Sequence, residues 1–230
     1  MCHDREVGDA IGAVLPAAVG VAVSPIPIIA VVLMLTSAKA RVNGPAFVLG
    51  WLAGLGVVGA IVLLVAGSAG SGSPREPAAW SSWLKLALGL LLLVVAARQF
   101  RSRPRAGQEP ELPKWMARVD RITPVAAAGF AVALSGANPK NLLLSISAAT
   151  AIADTGVAGA QQVLAYVVFA VIASLGVGIP VGLYLVMGRA CERILAGLKN
   201  WMSAYNAVIM AILCLVFAAK LLGEAISGLT

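Results

Sequence analysis

The sequence predicts an all-α polytopic membrane protein, with six transmembrane helices in a 3+3 inverted repeat whose first and fourth helices are discontinuous. Composition is the first observation: the 230 residues are 60% hydrophobic and 12% charged, whereas about 25% of a soluble domain is charged. The second is that the apolar runs approach the ~20 residues that span a bilayer as a helix. The third is that Pro interrupts two of these runs at matching places in the two halves.

Two of the predicted spans contain a break. The first span covers 8–37 and is interrupted at Ser24-Pro25-Ile26-Pro27; the fourth covers 122–153 and is interrupted at Asn138-Pro139-Lys140-Asn141. A small polar residue followed by Pro is typical of a helix start, with a side-chain N-cap and Pro as the first helical residue. A new helix is therefore predicted to begin inside each run. The other four spans are unbroken, at 45–66, 80–98, 160–187 and 201–222.

A basic linker divides the chain into two halves. The first repeat is predicted at 1–98, the linker at 99–121 and the second repeat at 122–230. Because each half has an odd number of spans, the second half enters the membrane from the opposite side, which makes the repeat inverted. Within the linker, residues 114–121 favour a short interfacial helix, since Trp115 and Met116 share a face that the cations avoid. A cytoplasmic extension of the fourth span is the alternative.

The basic residues predict the orientation. Most of the 17 Lys and Arg residues lie in the alternate loops that follow the first, third and fifth spans. By the positive-inside rule these loops are cytoplasmic, so both termini are predicted to be extracytoplasmic in a multi-pass protein of the cell (inner) membrane. The residues are Lys39, Arg41, Arg98, Arg101, Arg103, Arg105, Lys114, Arg118, Arg121, Arg189, Arg193 and Lys199.

The two breaks form the predicted substrate site. The first span runs inward and the fourth outward, so both new helices point their N-termini at the middle of the bilayer. Each N-terminus is equivalent to roughly half a positive charge, and its free N–H groups bind anions. The candidate substrate-binding residues are Ser24, Pro25, Pro27, Asn138, Pro139, Lys140, Asn141 and Ser145.

Lys140 is the candidate that most needs an explanation. A charge at the bilayer centre costs about 2.5 kcal/mol or more on insertion scales, which makes it a functional candidate. No Asp or Glu lies in either central region to neutralise it. The alternative is that Lys140 snorkels or bonds to backbone carbonyls of a neighbouring helix. For Ser24, Asn138, Asn141 and Ser145 the alternative is helix capping and bonding between helices.

Several other functions are disfavoured. The sequence has no Walker motif for ATP, no acidic cluster for a metal and no cysteine spacing for a redox or zinc site. We therefore expect no catalytic residues, no metal and no cofactor, and the protein is not expected to be an enzyme. The formal charge of +7 is explained by membrane topology better than by nucleic acid. Glycine stripes in the second and fifth spans favour close helix packing and permit a homodimer without requiring one.

The residues around both breaks resemble those of a known family. Ser24-Pro25-Ile26-Pro27 with Leu49-Gly50-Trp51-Leu52-Ala53-Gly54, and Ser135-Gly136-Ala137-Asn138-Pro139-Lys140-Asn141-Leu142, are similar to the GAP family of actinobacterial membrane proteins. These are also called sulfolipid- or glycopeptidolipid-addressing proteins, within the lysine-exporter superfamily. The resemblance implies a six-span transporter with paired proline breaks that moves an envelope glycolipid toward the cell surface. It also implies site roles for Ser24, Pro25, Pro27, Asn138, Pro139, Lys140 and Asn141.

Three functions follow as hypotheses. The leading one is a membrane transporter that moves an anionic or polar-headed envelope (glyco)lipid by alternating access. The second is a small-solute exporter for an amino acid or ion, as in the wider superfamily. The third is a non-transporting scaffold that docks a larger envelope-lipid export machinery through the basic linker. The missing intramembrane acids disfavour a cation as cargo.

Overall fold

The computed structural model describes residues 2–69, 79–101 and 122–229, and every regular element in those ranges is a helix. The first half contains α1 (Cys2–Ala22), α2 (Pro25–Leu35), α3 (Ala40–Ala69) and α4 (Ala79–Arg101). The second half contains α5 (Pro124–Gly136), α6 (Pro139–Asp154), α7 (Gly159–Met187) and α8 (Glu192–Ser227). Most of the 67–79 loop and of the 99–121 linker, including its predicted interfacial helix at 114–121, lies outside the described residues.

The helices are those of a multi-pass membrane protein. Three helical segments are long and apolar enough to cross a bilayer, at Ala40–Val65, Ser82–Arg101 and Gly159–Ser227. A fourth span is added if α1 and α2, which pass the same test together, count as one broken helix. The segment Gly159–Ser227 has 69 residues, which at about 1.5 Å per residue is more than three times the ~30 Å hydrocarbon core.

A turn divides this long segment into α7 and α8. Gly188 has a φ of 58°, a left-handed conformation in which glycine lacks the steric penalty of other residues. A short 3-10 helix, Gly188–Cys191, follows before α8 begins. α7 and α8 have 29 and 36 residues, so each alone exceeds the ~20 residues needed to span a bilayer.

The chain breaks at both predicted places. α1 ends at Ala22 and α2 begins at Pro25, with a bend of 53° between them. α5 ends at Gly136 and α6 begins at Pro139. Each Pro follows a residue with extended backbone, Ser24 or Asn138, as expected because Pro disfavours the helical conformation for the residue before it.

The helix contacts of the two halves correspond. When α1–α4 are matched in order with α5–α8, the packing of α3 on α5 corresponds to that of α1 on α7. In the same way α3 with α6 corresponds to α2 with α7, and α2 with α8 corresponds to α4 with α6. The correspondence is incomplete: α1 packs extensively on α6, whereas α5 and α2 make no comparable contact within the described part of the chain.

Glycines allow the closest approaches between these helices. A Cβ at Gly50 would overlap the backbone of Ala128, and one at Gly54 would overlap Ser135, so α3 and α5 are in near-backbone contact. Gly176 of α7 meets the carbonyl of Ala22 at the end of α1 in the same way. Such small-residue contacts are typical of helix packing in membranes, and one of them lies directly beside the first break.

Candidate functional site

The two breaks differ in how their helix starts are capped. At the second break, Asn138 accepts a hydrogen bond at 3.1 Å from the backbone N–H of Lys140. At the first break, Ser24 makes no side-chain capping bond, so the predicted side-chain N-cap is wrong there. The Ser24 hydroxyl is buried and has no hydrogen-bond partner among the described residues. Pro25 and Pro27 have no N–H and the N–H of Ile28 bonds to Ser24, so the start of α2 leaves the N–H of Ile26 and the Ser24 hydroxyl available for another group.

Lys140 connects the two breaks. Its side chain is 1% exposed, and its Nζ donates a 2.7 Å hydrogen bond to the carbonyl of Gly20. Gly20 lies in the last turn of α1, where carbonyls lack a partner within the helix, because the N–H of Ser24 bonds to Val21 instead. A cation at this end of a helix is also favoured by the helix dipole. Of the two interpretations of Lys140, backbone-carbonyl bonding is the one present in this conformation.

Asn141 caps the C-terminal end of α5. Its Nδ2 donates a 3.1 Å bond to the carbonyl of Leu134, near the end of α5. Aligning the breaks at Ser24 and Asn138 makes Leu134 equivalent to Gly20, and makes Asn141 equivalent to Pro27. Pro27 has no side-chain donor, so the first half lacks its own cap. Lys140 of the second half supplies the bond that Pro27 does not.

The described part of the site leaves several buried polar atoms without partners. Asn141 Oδ1 and Ser24 Oγ make no hydrogen bond to described residues, and neither does the indole N–H of Trp51 on α3. Buried polar atoms are otherwise nearly always bonded, so each such atom needs an explanation. Ser145 is fully buried two turns into α6, beside the hydroxyl of Tyr166. Tyr166 in turn donates a 2.8 Å bond to the carbonyl of Leu55.

One hydrogen bond links the two groups of predicted residues. Lys140 and Asn141 lie in the first turn of α6. Lys140 bonds to Gly20, which precedes Ser24 by four residues. Pro25 and Pro27 are buried at the start of α2, while Pro139 is exposed. Sequence reasoning missed Gly20 and Tyr166. Tyr166 carried a signal, because it places a polar atom deep inside an apolar run.

The charge in this region is positive. Among the buried side chains of the described ranges, Lys140 is the one that carries a charge, and none is a carboxylate. Acidic side chains pair with a lysine elsewhere: Asp154, at the end of α6, pairs with Lys85 at 2.8 Å, and Glu224 pairs with Lys85 at 3.6 Å. These pairs join α4, α6 and α8 at one end of the bundle, away from the breaks.

Comparison with protein families identifies a match over most of the chain. The model of the family described as Sap, sulfolipid-1-addressing protein, matches residues 14–227. This range includes both breaks and all of the candidate site residues, and it confirms the family resemblance seen around the breaks. No curated protein and no solved structure matches the chain.

Proposed function

The chain belongs to the sulfolipid-1-addressing protein family, and from this premise we propose that it transports an anionic or polar-headed envelope (glyco)lipid across the cell membrane. The observation that carries the proposal is the bond between the two breaks, in which buried Lys140 at the start of α6 reaches the end of α1. Broken helices at matching places in two halves are the best sequence indication of a transporter's binding site. The lipid class comes from the family's description, and the preference for negative charge comes from the site.

The proposed architecture has six spans in two inverted repeats. α1 with α2 and α5 with α6 are the two broken spans, while α3, α4, α7 and α8 are the unbroken ones. The corresponding contacts of the two halves support this arrangement, because a pseudo-two-fold axis would relate them in this way. The ion pairs of Lys85 with Asp154 and Glu224 support the predicted grouping of loops, since they gather at one end three segments that we assign to the same side of the membrane.

The polar head would bind at the breaks. Ser24 and the N-terminus of α2 offer donors that have no partner, and Asn138, Asn141 and Ser145 add polar groups from α6. Pro25, Pro27 and Pro139 hold the helix starts in place without donating hydrogen bonds. The absence of a buried carboxylate in the described residues disfavours a cationic cargo, such as a basic amino acid. The acyl chains would remain in the bilayer while the head crosses.

Lys140 would couple binding to movement. Its bond to Gly20 joins α6 of the second half to α1 of the first, so a rocking motion of one half against the other must stretch or break this bond. An anionic head group offers Nζ a stronger, charge-assisted partner than a neutral carbonyl. Binding of the head would therefore release α1 and favour the alternative arrangement. This is a differential interaction between two states, which a population shift requires.

The test is transport by purified protein in liposomes. The probe is phosphatidylglycerol with a fluorescent head group, whose exposure on the outer leaflet is measured by chemical quenching. We expect Lys140→Met to reduce the rate at least tenfold, because the central charge is lost, and Lys140→Arg to retain part of it. Lys39→Met is the matched control, since Lys39 is exposed and in a loop.

Two outcomes would contradict the proposal. Equal transport by wild type and Lys140→Met would remove the lysine from the mechanism. No transport of the lipid by wild type, together with efflux of preloaded amino acids that Lys140→Met abolishes, would favour a small-solute exporter. A scaffold is distinguished in cells that lack the gene: break-site variants should then restore envelope lipid normally, and deletion of 99–113 should not.

A further inference from the structure

A groove between α4 and α8 lies outside the site described above. Its volume is about 520 Å³ and its described lining is apolar, with Leu93 and Ala97 on α4 and Ile212 and Leu215 on α8. Ile212 and Leu215 are 57% and 55% exposed, so the groove opens sideways from the bundle. Its volume falls within the about 300–1,000 Å³ typical of ligand pockets.

The surroundings of the groove decide what can fill it. Water is a poor occupant, because apolar cavities stay dry without polar partners. An empty groove would forfeit dispersion contacts along all of its walls. In a bilayer, the acyl chains of lipids lie against the open side of the groove. A lipid chain is therefore the occupant that the lining favours.

One end of the groove has the chemistry of a head-group site. The groove stripe of α8 continues through Val208 to Tyr205 and Trp201, which recur at helical spacing. Their rings lie 5.7 Å apart, and both are more than half exposed. Exposed Trp and Tyr are typical of the membrane interface. On α4, exposed Arg101 follows Ala97 by one turn.

The antiparallel packing of α4 and α8 sets Arg101 close to the aromatic pair. Gly89 packs on Ala218 and Leu222, and further along Ser82 packs on Gly228. Residue numbers therefore fall along α8 as they rise along α4. Both helices rise by about 1.5 Å per residue. Arg101 therefore lies level with the turn of α8 that precedes Ala211 and adjoins Tyr205.

We propose that the groove between α4 and α8 binds one hydrocarbon chain of an anionic membrane lipid, whose acidic head group pairs with Arg101 beside Trp201 and Tyr205. Arginine forms bidentate, charge-assisted bonds with phosphate and similar oxyanions. This binding site is separate from the breaks and needs no transport, so it goes beyond the function proposed above.

The experiment uses the whole chain in phosphatidylcholine nanodiscs. The probe is phosphatidylglycerol with a diazirine at mid-chain, and the labelled residues are mapped by mass spectrometry. We expect label on the groove segments 93–97 and 211–215. Ala97→Trp fills the groove and should reduce labelling at least fivefold. Leu91→Trp is the matched control, because Leu91 is exposed on the opposite side of α4 and should leave labelling unchanged.

A second pair of variants tests the head group. Arg101→Gln should abolish the preference for phosphatidylglycerol over a phosphatidylcholine probe with the same chain, whereas Arg41→Gln at the exposed start of α3 should not. Uniform labelling of the bundle surface, or equal effects of Ala97→Trp and Leu91→Trp, would overturn the proposal. A disulfide between two chains that carry Ile212→Cys in a background without other cysteines would overturn it in favour of a second copy. Lys140→Met should not alter labelling, so either proposal can fail alone.

Discussion

At the scale of single residues, one turn of α6 closes the ends of two different helices. Lys140 bonds to Gly20 of α1 and Asn141 bonds to Leu134 of α5. These two adjacent side chains thus satisfy carbonyls that both breaks would otherwise leave unpaired in an apolar environment. Asn141 does so while its own Oδ1 has no partner in the described structure. A buried amide whose N–H group is bonded and whose oxygen is not is poorly explained by stability alone.

Asn141→Leu therefore separates stability from function. The change removes one bond to Leu134, worth about 0.6–1.7 kcal/mol in a membrane protein, but also removes an unsatisfied buried oxygen. We expect the free energy of unfolding, measured by denaturant titration in detergent micelles, to fall by less than about 1 kcal/mol. Lipid transport in the liposome assay should fall at least tenfold.

Thr150→Val is the control for Asn141. Thr150 is buried on the same helix, and its hydroxyl bonds only to carbonyls of that helix, those of Ile146 and Ser147. This variant should change neither stability by much nor transport. A large loss of stability in Asn141→Leu, with transport falling in proportion to folded protein, would make Asn141 a structural residue only.

At the scale of elements, glycine decides which helices approach most closely. The stripe of Gly50 and Gly54 places α3 against α5 at the level of the second break, where Ser135 and Val132 occupy the space that a Cβ at Gly54 would take. Gly56, one half-turn further along α3, meets nothing within 4 Å. The two glycines have the same backbone freedom but opposite surroundings.

Gly54→Ala and Gly56→Ala should consequently have opposite effects. At Gly54 the added methyl group overlaps α5, and overpacking of this kind costs about 1–3 kcal/mol. At Gly56 the same change should be neutral or stabilise by up to about 1 kcal/mol, because Gly is unfavourable inside a helix. Thermal unfolding of both variants in the same detergent measures the difference. Equal melting temperatures would show that α3 and α5 do not pack through this stripe.

The elements also show how far sequence reasoning extends. Helix starts at Pro25 and Pro139 were predictable because polar-Pro pairs act locally, through a fixed φ and a missing N–H. The Gly20 bond to Lys140 was not, because it joins positions 120 residues apart and any exposed carbonyl would serve. The predicted N-cap at Ser24 was wrong for a different reason. Its residue type favours an N-cap, but the local geometry leaves its hydroxyl without that bond. Lipid-facing and core-facing residues are equally apolar in a membrane protein, so Trp51 and Tyr166 could not be assigned to the interior from pattern alone.

At the scale of the whole molecule, the six proposed spans imply that loops alternate between the two sides of the membrane. The positive-inside rule predicts that the α2–α3 loop is cytoplasmic and the α6–α7 loop is outside. Ala38 and Thr155 are exposed residues in these loops. Their accessibility from each side is therefore a direct readout of the inverted arrangement.

Cysteine labelling in intact cells tests this orientation. In a chain whose native cysteines are replaced, Thr155→Cys should react with a membrane-impermeant maleimide added outside, and Ala38→Cys should react only after the cells are opened. Cys191 and Cys214 are buried and free, so their replacement by Ala should be tolerated. Reaction of both positions from outside would exclude the predicted topology.

The bond between Lys140 and Gly20 also has a consequence for biosynthesis. α6 emerges from the ribosome long after α1, and until the two meet its ammonium group has no carbonyl to bind in the hydrocarbon. The insertion machinery must therefore retain the early helices nearby, or tolerate a stranded cation, before the nascent chain can be released. If the two halves were translated from separate messages, each would need the other for stability. The second half alone would be degraded by quality-control proteases.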